Sequence, residues 1–268
     1  MKDVTIVSSL FNIEREGMDG RTWNEYLKWF DVTLKLKCDM VLFVTEDLKE
    51  FVEERRTDIP TEIIVQSVEE IPYYYLKSQL DSIIESEEYQ KKISDPDRIE
   101  CQYSMYSIVQ YSKFKWLQEA IEENPFNSKF FFWMDAGASR FFEGHDLSQD
   151  YPSINAIESL NEMGEKFLIQ MNTECYSDLY ESDKLKENYL LNNRSFVCGT
   201  FFGGHKNSIK LVSKEVEYIL LNTMIKNNYV NNEQIVLGYL LKNKSNLFEY
   251  YERKNWKQIA MFLELGKR

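Results

Sequence analysis

The residues Phe130-Phe131-Phe132-Trp133-Met134-Asp135-Ala136-Gly137 carry an apolar run straight into one carboxylate and then a small, glycine-containing turn. Such a run reads as a buried strand, with the carboxylate where the strand surfaces. In an open α/β sheet, ligands bind at the carboxyl ends of the strands. A carboxylate there can hold a divalent cation against a diphosphate. The competing reading is that Asp135 only caps the turn that follows it.

Four further groups could join that chemistry. Ser8-Ser9-Leu10-Phe11 closes a first strand, with Arg15 just beyond, where a loop can embrace a nucleotide. The loop is no G-x-G-x-x-G fingerprint, so a dinucleotide cofactor is not expected. Lys113 lies on a helix among apolar neighbours and can reach a phosphate or snorkel to the surface. Cys198-Gly199-Thr200-Phe201-Phe202-Gly203-Gly204-His205 brings glycines that permit close backbone approach, plus an imidazole that can ligate metal. Asn232-Glu233-Gln234 opens a helix; Glu233 either complements the helix dipole or serves as a base toward an acceptor hydroxyl.

These groups need a scaffold, and the hydrophobic pattern supplies one. Val4–Ser9, Met40–Thr45 and Glu62–Gln66 read as buried strands, separated by a helix from a Thr22–Glu25 capping box to about Lys37 and a short helix over 46–56. The order β-α-β-α-β predicts a mostly parallel, Rossmann-like sheet flanked by helices. A charged, Tyr-rich helical stretch runs from Val68 to Lys92, and a long helix from Cys101 to Glu123. After the Phe130 strand come an irregular stretch with Arg140, a helix over 154–165 and a strand over 167–171. Residues 173–195 are polar and carry no clear pattern. A strand from Phe196 closes on glycines at Gly203, helices follow over 207–226 and after Asn232, and a last strand spans 247–251. No repeat or linker interrupts the chain, so one domain over 1–268 is expected, with a nucleotide-binding part to about 140 and an acceptor-side part beyond.

Composition narrows the partners. A net charge of −12 argues against a nucleic-acid backbone or an anionic membrane surface as main partner. The four cysteines lack C-x-x-C spacing and read as thiols of a reducing compartment. Two histidines, His145 and His205, rule out a three-histidine zinc site. The chain enters a strand pattern at once and has no apolar run of bilayer length, so no signal peptide and no integral membrane segment are expected. A cytoplasmic protein follows, able to act at a membrane through a partner.

Taken together, the motifs resemble a known family. Ser9-Leu10-Phe11-Asn12-Ile13-Glu14-Arg15 is similar to its N-terminal motif; Tyr111-Ser112-Lys113-Phe114, Asn124-Pro125-Phe126, the Trp133–Gly137 block, the Gly199–Gly204 glycines and Glu233-Gln234 follow in order. The chain resembles the HtrL/YibB family, grouped with GT-A-fold glycosyltransferases, over about residues 3–242. The resemblance implies transfer of a sugar from a nucleotide-sugar donor, such as a UDP- or GDP-sugar, to a glycan or glycolipid hydroxyl, with Mn²⁺ or Mg²⁺ on the diphosphate. Donor contacts are expected from Ser8, Ser9, Leu10, Phe11, Arg15, Lys113, Asp135, Ala136, Gly137, Arg140, Gly203, Gly204 and Gln234. Asp135 and His205 are the expected metal ligands; Asp135 and Glu233 are the expected catalytic carboxylates. The usual two-acid D-x-D motif is reduced here to one acid, which leaves metal dependence open. Alternatives are a non-catalytic nucleotide-sugar-binding protein and a nucleotidyltransferase or hydrolase.

Overall fold

The computed structural model describes residues 3–142, 146–172, 185–192 and 196–253. The strands are β1 (Val4–Leu10), β2 (Asp39–Val44), β3 (Thr61–Val65), β4 (Phe130–Met134), β5 (Phe167–Asn172), β6 (Val197–His205) and β7 (Phe248–Arg253). They form one sheet in the order β3-β2-β1-β4-β6-β5-β7. Every neighbouring pair is parallel except β4·β6 and β5·β6, so β6 alone runs backwards among the described strands.

Both faces of the sheet are covered, which explains the near-continuous apolar strands. All of β1 and all of β4 are buried. Alternate residues feed two cores: Val7, Phe131 and Trp133 pack on one face; Ile6, Phe132 and Met134 pack on the other. The helices in chain order are α1 (Glu16–Asp19), α2 (Trp23–Thr33), α3 (Glu46–Arg55), α4 (Lys77–Ile84), α5 (Glu87–Lys92), α6 (Ser104–Glu123), α7 (Ile154–Met163), α8 (Lys206–Tyr218) and α9 (Glu233–Asn243). α4, α6, α8 and α9 supply residues to the first core, and α2, α3 and α7 to the second.

The capping box expected before α2 is present: Glu25 N–H donates to Thr22 Oγ1 at 3.2 Å and Thr22 N–H to Glu25 Oε2 at 2.8 Å. α2 stops at Thr33, short of Lys37. There the Thr33 hydroxyl donates to the Ala136 carbonyl at 2.9 Å.

One difference from the sequence pattern matters for function. The strand expected to close at Gly203 continues through Gly204 to His205, and it is antiparallel to β4. The glycines therefore lie inside a strand rather than in a ligand-embracing turn. A Cβ on Gly203 would stand 2.1 Å from the Phe131 carbonyl oxygen, so this glycine serves the close approach of two strands. Of the four cysteines, Cys38, Cys101 and Cys198 are buried thiols, and Cys175, with His145, lies outside the described residues. Among the described residues no helix is long and apolar enough to cross a membrane.

Candidate active site

The sheet order reverses between β1 and β4: β1 is followed in sequence by β2 on one side, and β4 closes in on the other. Such a switch point opens a crevice beyond the strand ends. A cavity of about 440 Å³ lies there. Its floor is the end of β1, with Ser9, Leu10 and Phe11, and the end of β4, with Trp133, Asp135, Ala136 and Gly137. One wall is α6, through Tyr106, Gln110 and Lys113. The other is the loop from Asn12 to Gly17 with Arg21, Trp23 and Tyr26; Arg140 completes the rim.

Asp135 continues the alternation of β4, so its side chain points to the same face as Phe131 and Trp133 and toward α6. Its backbone N–H donates to the Thr200 carbonyl at 2.9 Å, which ties the strand end to β6. The side chain makes no capping hydrogen bond to the following 3₁₀ turn, Ala136–Phe141. The turn-cap reading therefore fails. Instead Oδ1 accepts from the Trp133 indole N–H at 2.7 Å and faces the Lys113 ammonium at 3.0 Å. Oδ2 makes no hydrogen bond among the described residues, and the side chain is 28% exposed. Asp135 thus offers one open oxygen to the cavity.

Lys113 is 1% exposed. Its ammonium donates to Glu233 Oε1 at 2.8 Å and to the Gly199 carbonyl at 3.0 Å, and pairs with Asp135 Oδ1 at 3.0 Å. Burial by itself pulls this ammonium down, but the Asp135 and Glu233 carboxylates outweigh it and the net direction is up. Lys113 stays charged. Two of its N–H groups are taken by Gly199 and Glu233, and its ion pair with Asp135 positions that carboxylate.

Glu233 does not take the place expected of a base. It is fully buried behind Lys113 and does not line the cavity. Among the described residues its buried Oε2 has no hydrogen-bond partner. Burial pushes its carboxyl up, against the pull of Lys113. Gly199 makes the arrangement possible, since a Cβ there would lie 2.3 Å from Glu233 Oε1.

Arg15 is held in place from several sides. It donates to Asp19 Oδ2 through Nε at 2.9 Å and to the Tyr26 hydroxyl through Nη1 at 2.8 Å, and it sits 4.6 Å over the Tyr106 ring. Burial pushes the Tyr106 phenol well up, so it remains a neutral donor. The Tyr103 hydroxyl donates to the Ile13 carbonyl and pins the loop to α6. Arg140 stacks on Trp29 at 5.4 Å and on Phe141 at 4.8 Å, while the Ser139 hydroxyl donates to the Trp29 carbonyl at 2.6 Å.

The structure thus brings together Ser9, Leu10, Phe11, Arg15, Lys113, Asp135, Ala136, Gly137 and Arg140. Besides Glu233, the expected residues Ser8, Gln234, Gly203, Gly204 and His205 fall elsewhere. Ser8 faces the opposite side of the sheet, its buried hydroxyl without a hydrogen-bond partner among the described residues. Gln234 packs beside Gly199, outside the cavity lining. Gly203 and Gly204 pair with Phe132 and Phe131. His205 pairs with Phe130, at the start of β4, so the whole length of that strand separates it from Asp135. It caps α8, its Nδ1 accepting from Asn207 N–H at 3.3 Å. His205 cannot share a metal ion with Asp135, and the reversed direction of β6 is the reason.

The sequence of motifs on these elements is matched by a family model described as "Bacterial protein of unknown function (HtrL_YibB)", over residues 2–263. The chain belongs to the HtrL_YibB family. No curated protein matches the sequence significantly. Solved structures of similar overall shape include apo mouse xyloside xylosyltransferase 1, with 11% identity, a TM-score of 0.43, and coverage of 92% of this chain and 84% of that one. Another is 4-diphosphocytidyl-2C-methyl-D-erythritol synthase from Anaerococcus prevotii, with 9% identity, a TM-score of 0.39, and coverage of 95% and 88%. Both likenesses are distant and carry no functional argument.

In this HtrL_YibB member the described side chains offer few ligands to a divalent cation. No group of three or more His, Cys, Asp or Glu side chains could hold a metal among the described residues. A two-acid motif would present two negative charges. The Asp135–Lys113–Glu233 unit carries one when all three groups are ionised, and none with Glu233 protonated, the form its burial favours. A hard cation at a diphosphate takes one or two carboxylates, with phosphate oxygens and water completing its shell, and at the strand end the protein offers Asp135 Oδ2.

Tyr106, Gln110, Arg21 and the cavity role of Trp23 and Tyr26 are not foreseen from the sequence pattern. The signal is nonetheless present in α6: Tyr106, Gln110 and Lys113 follow i, i+4, i+7 and share one helix face.

Proposed function

We propose that this HtrL_YibB protein is a glycosyltransferase of GT-A type that binds a nucleotide-sugar donor in the cavity at the β1/β4 switch point. The observation that carries the reading is the cavity's make-up at that position. Half-buried aromatic side chains, Trp23 and Tyr26, can stack on a base or sugar; guanidinium groups ring the mouth; and a single open carboxylate oxygen is held at the end of β4. The sequence motifs that resemble the family support the same reading.

The reaction breaks the bond between the anomeric carbon and the diphosphate oxygen and forms one to an acceptor hydroxyl. The departing diphosphate gains negative charge, which fixed positive groups stabilise when they are already oriented. Arg15 and Arg140 are so oriented by their ring and carboxylate contacts. The acceptor proton needs a base within hydrogen-bond reach. Glu233 is too deeply buried for that role, and Asp135 Oδ2 takes it, with Lys113 and Trp133 fixing the other oxygen. Such an acceptor is a glycan or glycolipid hydroxyl, and the donor a UDP- or GDP-sugar. A divalent cation on the diphosphate is not required by any of these steps.

A panel of nucleotide sugars read by thermal shift and by product analysis tests the reading. A bound donor at about 100 times its Kd stabilises the fold by roughly 2.7 kcal/mol, a rise of about 5–10 °C for a chain of this size. Transfer of the sugar to a hydroxyl acceptor is expected; nucleotide exchange or donor hydrolysis alone would point to a nucleotidyltransferase or hydrolase. Asp135→Asn keeps the shape and both Oδ1 contacts but loses the base. Its turnover is expected to fall by about 100-fold or more, with donor affinity within a few-fold of the parent. Full turnover in Asp135→Asn would remove Asp135 from the chemistry.

A further inference from the structure

The guanidinium groups around the cavity mouth have a consequence for how a diphosphate is held. We propose that Arg15, Arg21 and Arg140 form a diphosphate clamp, so that nucleoside diphosphates bind here without a divalent cation. The inference rests on the reading of the cavity as a nucleotide-sugar site.

Three observations carry it. The first is the donor set. Asp135 has one open oxygen, its other being engaged by Lys113 and Trp133, and His205 is at the far end of the sheet. Among the described residues no group of three or more His, Cys, Asp or Glu side chains is assembled that could hold a metal–diphosphate bridge.

The second is the placement of arginines. The chain carries a net charge of −12, so its overall field repels a diphosphate. Yet three arginines from three separate segments line this one cavity, beside Glu14, Glu16 and Asp135: the loop after β1, the residues before α2, and the turn after β4. Arginine's planar fork matches phosphate oxygens two at a time, which suits a bridging diphosphate.

The third is preorganisation. Arg15 uses three of its five N–H groups on Asp19 and Tyr26, which fixes the guanidinium plane and leaves two for a ligand. Arg140 has ring contacts on Trp29 and Phe141, which orient it while leaving its N–H groups for a ligand. Arg21 is the most open of the three, its side chain 43% exposed and 3.7 Å from Asp19.

Calorimetric titration of the full chain with UDP, GDP and inorganic pyrophosphate, in EDTA and then in Mn²⁺ or Mg²⁺, tests the clamp. At least one nucleoside diphosphate is expected to bind in EDTA with a Kd within about threefold of its value with metal. Arg15→Gln and Arg140→Gln are each expected to weaken that binding about tenfold, the loss of one charge-assisted hydrogen bond. Arg15→Lys, which keeps charge but loses the fork, falls between. Arg21→Gln alters an exposed side chain, keeps the fold, and is expected to weaken binding severalfold. Affinity that disappears in EDTA and returns with Mn²⁺ would overturn the clamp while leaving the nucleotide-sugar reading intact. Parent-like affinity in all three glutamine variants would overturn it too. Failure of every nucleotide to bind in either buffer would sink the nucleotide-sugar reading and the clamp with it.

Discussion

Lys113→Met is expected to lower the unfolding free energy by about 3–5 kcal/mol, the range for breaking a buried ion pair from one side. The melting temperature should fall by roughly 10 °C. The substitution keeps most of the side-chain volume, so packing around Trp133 changes little. What it removes is the ammonium that faces three acceptors, one of them on a carboxylate with no exposure. Glu233 then has an orphaned Oε1 beside its already orphaned Oε2.

The variant's defect should depend on pH, and the sign follows from Glu233. Its folded pKa is raised by burial, and loss of Lys113 raises it further. A carboxyl with a raised folded pKa favours the fold fully below its unfolded pKa, about 4.3. That contribution is lost as pH rises toward the folded value. Lys113→Met should therefore be closest to the parent near pH 5 and furthest from it near pH 8. Denaturant melts of both proteins at the two pH values measure this. Glu233→Gln in the same background should restore part of the loss at pH 8, since it removes the charge that the variant cannot accommodate. A defect that is the same at both pH values, and unmoved by Glu233→Gln, would show that the three groups are not coupled.

Gly203→Ala is expected to cost more than about 3 kcal/mol, or to prevent folding altogether. The added Cβ would lie 2.1 Å from the Phe131 carbonyl oxygen and 2.6 Å from the Phe132 Cα. These are backbone atoms of the neighbouring strand, with no rotamer to relieve the clash, so β4 and β6 must separate. That seam fixes the end of β4, because Asp135 N–H donates to the Thr200 carbonyl across it. Gly17→Ala is the control. A Cβ on Gly17 would meet nothing within 4 Å, and its backbone needs no left-handed conformation, so stability should stay level or rise by roughly 0.5 kcal/mol. Chemical denaturation of the two variants separates the cases. A Gly203→Ala protein as stable as the parent would mean that the strands can part freely, and the glycine would again need a functional explanation.

Much of the fold was legible because its signals are local. A continuous apolar run such as Phe130–Met134 needs no partner to be recognised as a buried strand, and Thr22 with Glu25 marks a helix start within four residues. The position of Asp135 at a strand end was legible for the same reason. The charged members of the site were harder. Lys113 and Glu233 are residue types that normally stay at the surface, and their contact joins positions 120 residues apart. No local pattern reports such a pair, so Glu233 read as a base toward an acceptor hydroxyl, and Lys113 as reaching a phosphate or snorkelling to the surface.

His205 and the glycine pair show the other limit. The two-residue period of a strand is the same read in either direction, so the sequence of β6 says that it is a strand but not which way it runs. The direction decides which end of the sheet receives Gly203, Gly204 and His205, and which receives Gly199 and Thr200. By itself, the sequence determined the elements, the near-parallel α/β sheet and the strand end where Asp135 emerges, since each follows from nearest-neighbour hydrophobic periodicity. The tertiary structure alone decided which oxygen of Asp135 is open, that Glu233 lies buried behind Lys113, and that His205 stands at the far end, since each depends on how distant segments are oriented against one another.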